Sequence, residues 1–224
     1  MMMNLFSIFD PSTSMSISLN WLSMFYIFLF LPNLYWLVPS RFQYSWIKTF
    51  KHLSSEFYML LNNKINVINC LIFISLFSLI LLNNFVGMFS YIFTASSHLG
   101  FSMPLSLLLW LIFMIFGWAI NMNHMFTHLV PQGTPTILMP FMVLIETISN
   151  IIRPLTLAVR LSANMIAGHL LLTLIASTGS ELPMITLFVM LLSQNLLVVL
   201  ELSVSIIQAY VFTVLSTLYS TETN

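Results

Sequence analysis

Toward its C-terminal end the sequence holds two apolar stretches, 137–176 and 183–219, each nearly twice as long as a membrane is thick. A helix rises about 1.5 Å per residue and the hydrocarbon core of a bilayer is about 30 Å across, so about 20 residues make one crossing. Stretches this long must tilt strongly, bend or run partly along the membrane plane. Pro154 offers the first a bend, and "STGSELP" is the turn between them. Composition leaves no soluble alternative. Only 5% of the 224 residues are charged and mean hydropathy is +0.99, whereas a soluble domain carries about a quarter charged residues. Lipid is therefore the chain's main solvent.

Three shorter apolar spans precede the pair, at 17–38, 67–93 and 104–122. "TASSHLGFSM" is expected as a loop and "NMNHMFTHLVPQGTPT" as a turn. Segment 39–66 differs from the rest. It holds Arg41, Lys48, Lys51 and Lys64, four of the six basic residues, interleaved with Phe42, Tyr44, Trp46, Ile47, Phe50, Leu53 and Phe57. That pattern predicts an amphipathic helix on the membrane surface. The expected fold is an all-α integral membrane protein and a single membrane domain. It has five membrane helices plus one amphipathic surface helix, the last two membrane helices forming a long tilted hairpin. Positive charge stays on the cytoplasmic or matrix side, so the N-terminus lies outside and the C-terminus inside.

Zero net charge argues against nucleic acid as a partner. Cys70, the single cysteine, excludes an internal disulfide and is expected to serve packing. No basic segment precedes the first apolar span, as a secretory signal would require. Nothing resembles a phosphate-binding loop, and no cofactor is expected.

Ionisable residues inside membrane spans are rare and functional by default. Glu146, Arg153 and Arg160 recur every seven residues, with Asn150 and Asn164 nearby; Gln194, Glu201 and Gln208 recur likewise on the last span, with Ser205 between the last two. Each long helix thus carries a polar stripe. The stripes could face each other as structural glue. From Glu146 to Arg160, however, the track runs about 21 Å, which suits a path for ions or protons.

The two arginines differ. Arg153 has Glu146 and Pro154 close by, and is expected to pair locally. Arg160 lies deeper, among Ala158, Ser162, Ala163 and Ala167, small residues that let another helix approach. A mid-membrane arginine costs about 2.5–3.5 kcal/mol on the lenient insertion scale and cannot be neutralised. It needs an anionic partner or water. A simple antiparallel hairpin turning between Ala176 and Pro183 sets Arg160 level with residues near 199, with Glu201 close and Gln208 about 13 Å further inward. His169 lies off the arginine stripe, as a packing residue or, by its ordinary titration range, a proton relay. His169 and Glu201 are too few ligands to argue a metal. His124 and His128, spaced i, i+4, point to an interfacial role rather than a metal or haem site.

"LAVRLSANMIAGH" together with "ELSVSIIQAYVFTVL" resembles subunit a of the F-type ATP synthases, the mitochondrial and insect type most. "VPQGTPT", "IETISNIIRP" and the terminal hairpin agree, and the likeness is strongest from about residue 104 onward. The resemblance implies a stationary proton-channel subunit in the mitochondrial inner membrane, with the N-terminus in the intermembrane space and the C-terminus in the matrix. Its implied partners are a c-ring, other membrane and peripheral-stalk subunits, and lipid. It also implies that Arg160 is the essential arginine, with Asn164 in the same motif and Gln208 near it. Glu201 and His169 match the pair of the outer half-channel, which bacterial relatives carry in exchanged positions, and Glu146 matches the acid of the inner one. It places Gln208, rather than Glu201, beside Arg160, against the simple register. Other readings are a secondary transporter or channel binding an anionic substrate at Arg160, and a non-translocating scaffold subunit of a respiratory complex; a transporter usually shows internal repeats and a larger span count, and neither is visible in the sequence.

Overall fold

The computed structural model describes residues 5–13, 17–33, 35–61, 67–89, 92–130, 135–179 and 183–223. Lys64 and parts of "VPQGTPT" and "STGSELP" lie outside them. Among the described residues every regular element is helical.

After a 3-10 turn at Leu5–Phe9, a second 3-10 segment, Leu19–Tyr26, runs directly into helix α1, Ile27–Phe30. The expected first membrane helix over 17–38 is therefore not one α-helix. It stops at Leu31, whose backbone (φ −76°, ψ 118°) is extended, the conformation a following proline, here Pro32, imposes.

Helix α2, Arg41–Leu61, falls inside the basic segment. It opens on a reciprocal cap: Ser40 N–H donates to Gln43 Oε1 at 2.8 Å, and Gln43 N–H to Ser40 Oγ at 3.3 Å. Helix α3, Val67–Gly87, ends six residues before the expected boundary. The expected loop at 94–103 is a loop only as far as His98. Ala95–Ser97 form a 3-10 turn, and α4, Leu99–Ile120, starts five residues before Pro104. A proline there removes only the bond to the Gly100 carbonyl, so it does not have to open the helix. Asn121 (φ −119°, ψ 50°) separates α4 from the short α5, Met122–His128, within the expected turn.

The long pair follows. Helix α6, Met139–Thr178, has 40 residues and runs through Pro154; α7, Met184–Glu222, has 39. Each is about 60 Å long, twice the hydrocarbon thickness. Pro140 sits in the first turn of α6 and Pro183 caps α7, positions where a missing N–H costs nothing. Among the described residues four helices are long and apolar enough to cross a membrane: α3, α4, α6 and α7.

Helix α3 packs along α7, α4 along α6, and α6 against α7. Ile80 of α3, Leu157 and Leu161 of α6, and Ala209 and Phe212 of α7 form one buried cluster. Phe57, Leu61, Cys70 and Phe73 form another, joining α2 to α3. Hydroxyls inside the helices turn onto their own backbone, as Thr147 Oγ1 does to Leu144 O at 2.9 Å and Thr213 Oγ1 to Ala209 O at 3.1 Å. A hydroxyl with no water to meet is satisfied this way.

Candidate functional site

The site is built along the α6–α7 hairpin, and two glycines fix its register. Gly179, at the end of α6, lies against the Met190 side chain, and Gly168 lies against Glu201. A Cβ at Gly168 would stand 2.5 Å from Glu201 Oε1, so the missing side chain is what admits the carboxylate. The end of α6 thus meets the second turn of α7, not its first, and Met184 and Ile185 project past it, more than 80% exposed. The whole of α7 is displaced by about ten residues, nearly three turns, from the simple hairpin. Eight residues back from Gly168 along α6 is Arg160; seven to eight onward from Glu201 along α7 are Gln208 and Ala209. Gln208, not Glu201, is level with Arg160, which corrects the simple register. Leu161, beside Arg160 in sequence, packs in the same buried cluster as Ala209.

Glu201 is buried at 6% exposure, and His169 Nε2 stands 3.7 Å from its Oε1. That is beyond hydrogen-bond range, and neither group finds a hydrogen-bond partner among the described residues. Among the described residues no third His, Cys, Asp or Glu joins them to hold a metal. His169 lines a cavity of about 870 Å³, together with Gln194 of α7, Met88 beyond α3, and Asp10, Ser12 and Asn20 of the N-terminal segment. Ser12 N–H donates to Asp10 Oδ1 at 3.0 Å, and this bond, helped by the Ser12 hydroxyl, holds the Asp10 carboxyl below its ordinary range. An anion therefore stands at the cavity wall.

At the other end of the hairpin lies a cavity of about 410 Å³, lined by Glu146, Asn150, Arg153, Glu222, His128 and Trp118 among others. Arg153 is held on three sides. Its Nη2 donates to Glu146 Oε1 at 3.4 Å, its Nη1 donates to Glu222 Oε2, and its guanidinium lies 5.3 Å over the Tyr219 ring. The expected pairing with Glu146 is present. Glu222 and Tyr219 were not legible from spacing, because they come from the end of α7, 69 and 66 residues away.

Arg160 lies between the cavities, about 21 Å along α6 from Glu146 and about 14 Å from His169. It is exposed, and no protein group pairs or hydrogen-bonds with it among the described residues. The small residues near it divide into two sets. Ala158 and Ser162 are buried toward the other helices, while Ala163 and Ala167 are exposed beside Arg160. Exposed Val159, Leu155 and Ile152 of α6, and Ile206, Ile207 and Tyr210 of α7, complete an apolar face around the one cation. Asn164 and Gln208 are half-buried at its edge. His124 and His128 stack edge to face, with ring centres 4.6 Å apart.

Residues 2–221 match the family described as ATP synthase A chain. The chain belongs to the ATP synthase A chain family. Relatives named ATP synthase subunit a agree over their whole length: that of Drosophila melanogaster is 59% identical over 224 residues, covering 100% of both chains. Those of Aedes aegypti and Locusta migratoria are 57% and 56% identical, covering 100% and 99% of both chains. In this family member the structure brings His169 to Glu201 and Glu146 to Arg153, and sets Arg160 apart from both groups. The role of the N-terminal segment in lining the His169 cavity had no sequence signal beyond the isolated Asp10. Gly168 did have one, a lone glycine beside His169 in an otherwise regular helix.

Proposed function

We propose that this chain is the stationary proton-conducting subunit of a rotary ATP synthase, and that ATP chemistry takes place on other subunits. The observation that carries the reading is the arrangement of two separate polar cavities at opposite ends of one hairpin, with an unpartnered Arg160 between them on an exposed apolar face. Protons enter from the outer side through the larger cavity and reach Glu201 and His169. They then load a carboxylate of a c-ring subunit running along the apolar face. As the ring turns, each carboxylate meets Arg160, whose fixed charge favours the ionised acid. The proton departs through the cavity of Glu146 and Glu222. Arg160 keeps the two paths apart, because a proton crossing directly would pass a permanent cation. Asn164 and Gln208, at its edge, keep the site polar while the ring carboxylate is away.

The chain sits in the mitochondrial inner membrane as a single multi-pass domain, with further membrane and peripheral-stalk subunits around it. The N-terminus faces the intermembrane space and the C-terminus the matrix. Five crossings follow if 19–30 counts as the first. A 3-10 helix rises about 2 Å per residue, so Leu19–Phe30 covers about 22 Å, and residues 31–40 carry the chain on to α2 on the matrix surface. In support, Asn20 lines the His169 cavity while α2 packs against α7. A transporter binding its own anionic substrate at Arg160 would need that arginine inside a cavity; it lies on the outer face.

The test is Arg160→Ala in the intact complex. We expect assembly close to normal and proton-driven ATP synthesis reduced at least 100-fold, measured by luciferase in energised vesicles. Synthesis within a few-fold of normal would overturn the reading.

A further inference from the structure

Helices α2 and α3 diverge from the corner where Phe57, Leu61, Cys70 and Phe73 pack together. Between them lies a groove of about 450 Å³, walled by Trp46, Phe50 and Leu53 on α2 and Phe77 and Leu81 on α3. Three hydroxyls also border it, but each is spent on its own helix. Ser45 Oγ donates to Phe42 O at 2.7 Å, Thr49 Oγ1 to Trp46 O at 2.9 Å, and Ser78 Oγ to Ser75 O at 2.9 Å. The groove therefore presents hydrocarbon, with no free hydroxyl for a polar ligand.

Its rim has a different chemistry. At about 100° per residue, Arg41, Lys48 and His52 fall on one stripe along the edge of the groove, with Lys51 turned further round the helix, away from it. Arg41, Lys48 and Lys51 are exposed, and none pairs with an acid among the described residues. Glu56, the only acid on α2, is held by His52, with Nδ1 to Oε1 3.2 Å. The Trp46 indole N–H finds no acceptor among the described residues, and indoles favour the level where headgroups meet hydrocarbon.

We infer that this groove is a binding site for an anionic phospholipid, with an acyl chain between Phe50 and Leu81 and the phosphate against Arg41 and Lys48. The site rests on the surface placement of α2 proposed above. A zwitterionic lipid fills the same groove but gains less from the cationic rim. A protein segment would have to bring its own acids to that rim.

The test uses the intact complex in liposomes of phosphatidylcholine with one-tenth phosphatidylglycerol. Either lipid carries a photoactivatable diazirine at its acyl end, and cross-links are mapped by mass spectrometry. We expect the anionic probe to label Trp46–Leu53 or Phe77–Leu81 about 25-fold more than the zwitterionic probe. Arg41→Gln with Lys48→Gln should bring the two probes level, as about fivefold is expected per basic residue near an anionic headgroup. Ser78→Trp fills the groove without touching the rim and should abolish labelling by both. Equal labelling of the unsubstituted protein overturns the site, as does capture of a protein neighbour by a photo-cross-linker placed at Leu81. Ser55→Cys reports separately on the placement of α2. If a membrane-impermeant maleimide reaches it from the matrix side and lipid labelling still fails, the lipid site alone is wrong. If the maleimide does not reach it, the placement is wrong.

Discussion

Arg153 and Arg160 stand two turns apart on one helix and live in opposite environments. Arg153 is gripped by two carboxylates and an aromatic ring at the mouth of a cavity. Arg160 has the same charge, the same helix and no partner among the described residues, on a face of Ile, Leu, Val and Ala. A guanidinium cannot shed its charge to escape such a place. The difference teaches that helix position alone does not assign a role to an intramembrane cation; what matters is whether its counter-charge is built in. Arg153 has its acids on its own chain, so its work is done when the protein folds. Arg160 lacks one, so on the proposed function its counter-charge arrives from a neighbour and leaves again.

The contrast is broken most directly by removing each cation in turn. Arg153→Gln leaves Glu146 and Glu222 facing each other without the charge that joins them. The pair is partly exposed, with the arginine side chain at 30% and the acids at 34% and 50%, so the loss is moderated by solvent. We expect destabilisation of about 1–3 kcal/mol, read as reduced abundance and a lower melting temperature of the complex. Arg160→Gln should change stability by less than about 0.5 kcal/mol while ATP synthesis fails. Should the two variants lose stability equally, the distinction between a paired and a waiting arginine is wrong.

A second test acts at the far side of Arg160. Gly168→Ala places a methyl 2.5 Å from Glu201 Oε1, too close for the carboxylate to stay where it is. The carboxylate is the end of a flexible side chain and can swing aside, at about 0.5–1.5 kcal/mol for the off-rotamer conformation. We expect proton flux to fall about 3–10-fold with complex abundance little changed, measured by dye-quench assays in inverted vesicles. A proportionate loss of both would make Gly168 a packing residue and nothing more.

These tests fall where the sequence was least readable. The long hairpin is legible within three residues at each boundary, because apolar runs bounded by proline and polar turns leave few options. The Glu146–Arg153 pair is legible too, since seven residues bring two side chains to one face. Register is different in kind. It is set by contacts of Gly168 with Glu201 and Gly179 with Met190, which no periodicity encodes, and a displacement of nearly three turns decides which residue faces Arg160. Glu222 was hidden for a related reason: in the polar tail "STETN" an acid reads as solvated, and only the fold brings it back to Arg153. The first span misled because its apolar run hides a 3-10 segment and a break before Pro32.

The smallest effect refines what holds Arg153. Tyr219 presents its ring face to the guanidinium at 5.3 Å, so the attraction belongs to the ring quadrupole and not to the hydroxyl. Tyr219→Phe keeps the ring and should leave stability unchanged. Tyr219→Ala removes it and should cost about 0.5–1 kcal/mol for the cation contact, plus a packing loss where the ring meets the Ile80 and Leu157 cluster. A double-mutant cycle with Arg153→Gln separates the two: the coupling between sites is the cation contact, and the remainder is packing. If Tyr219→Phe alone destabilised the complex as much as Tyr219→Ala, the hydroxyl would be the true partner. Arg153 would then be held by its two carboxylates and a phenol oxygen, with the ring face contributing nothing.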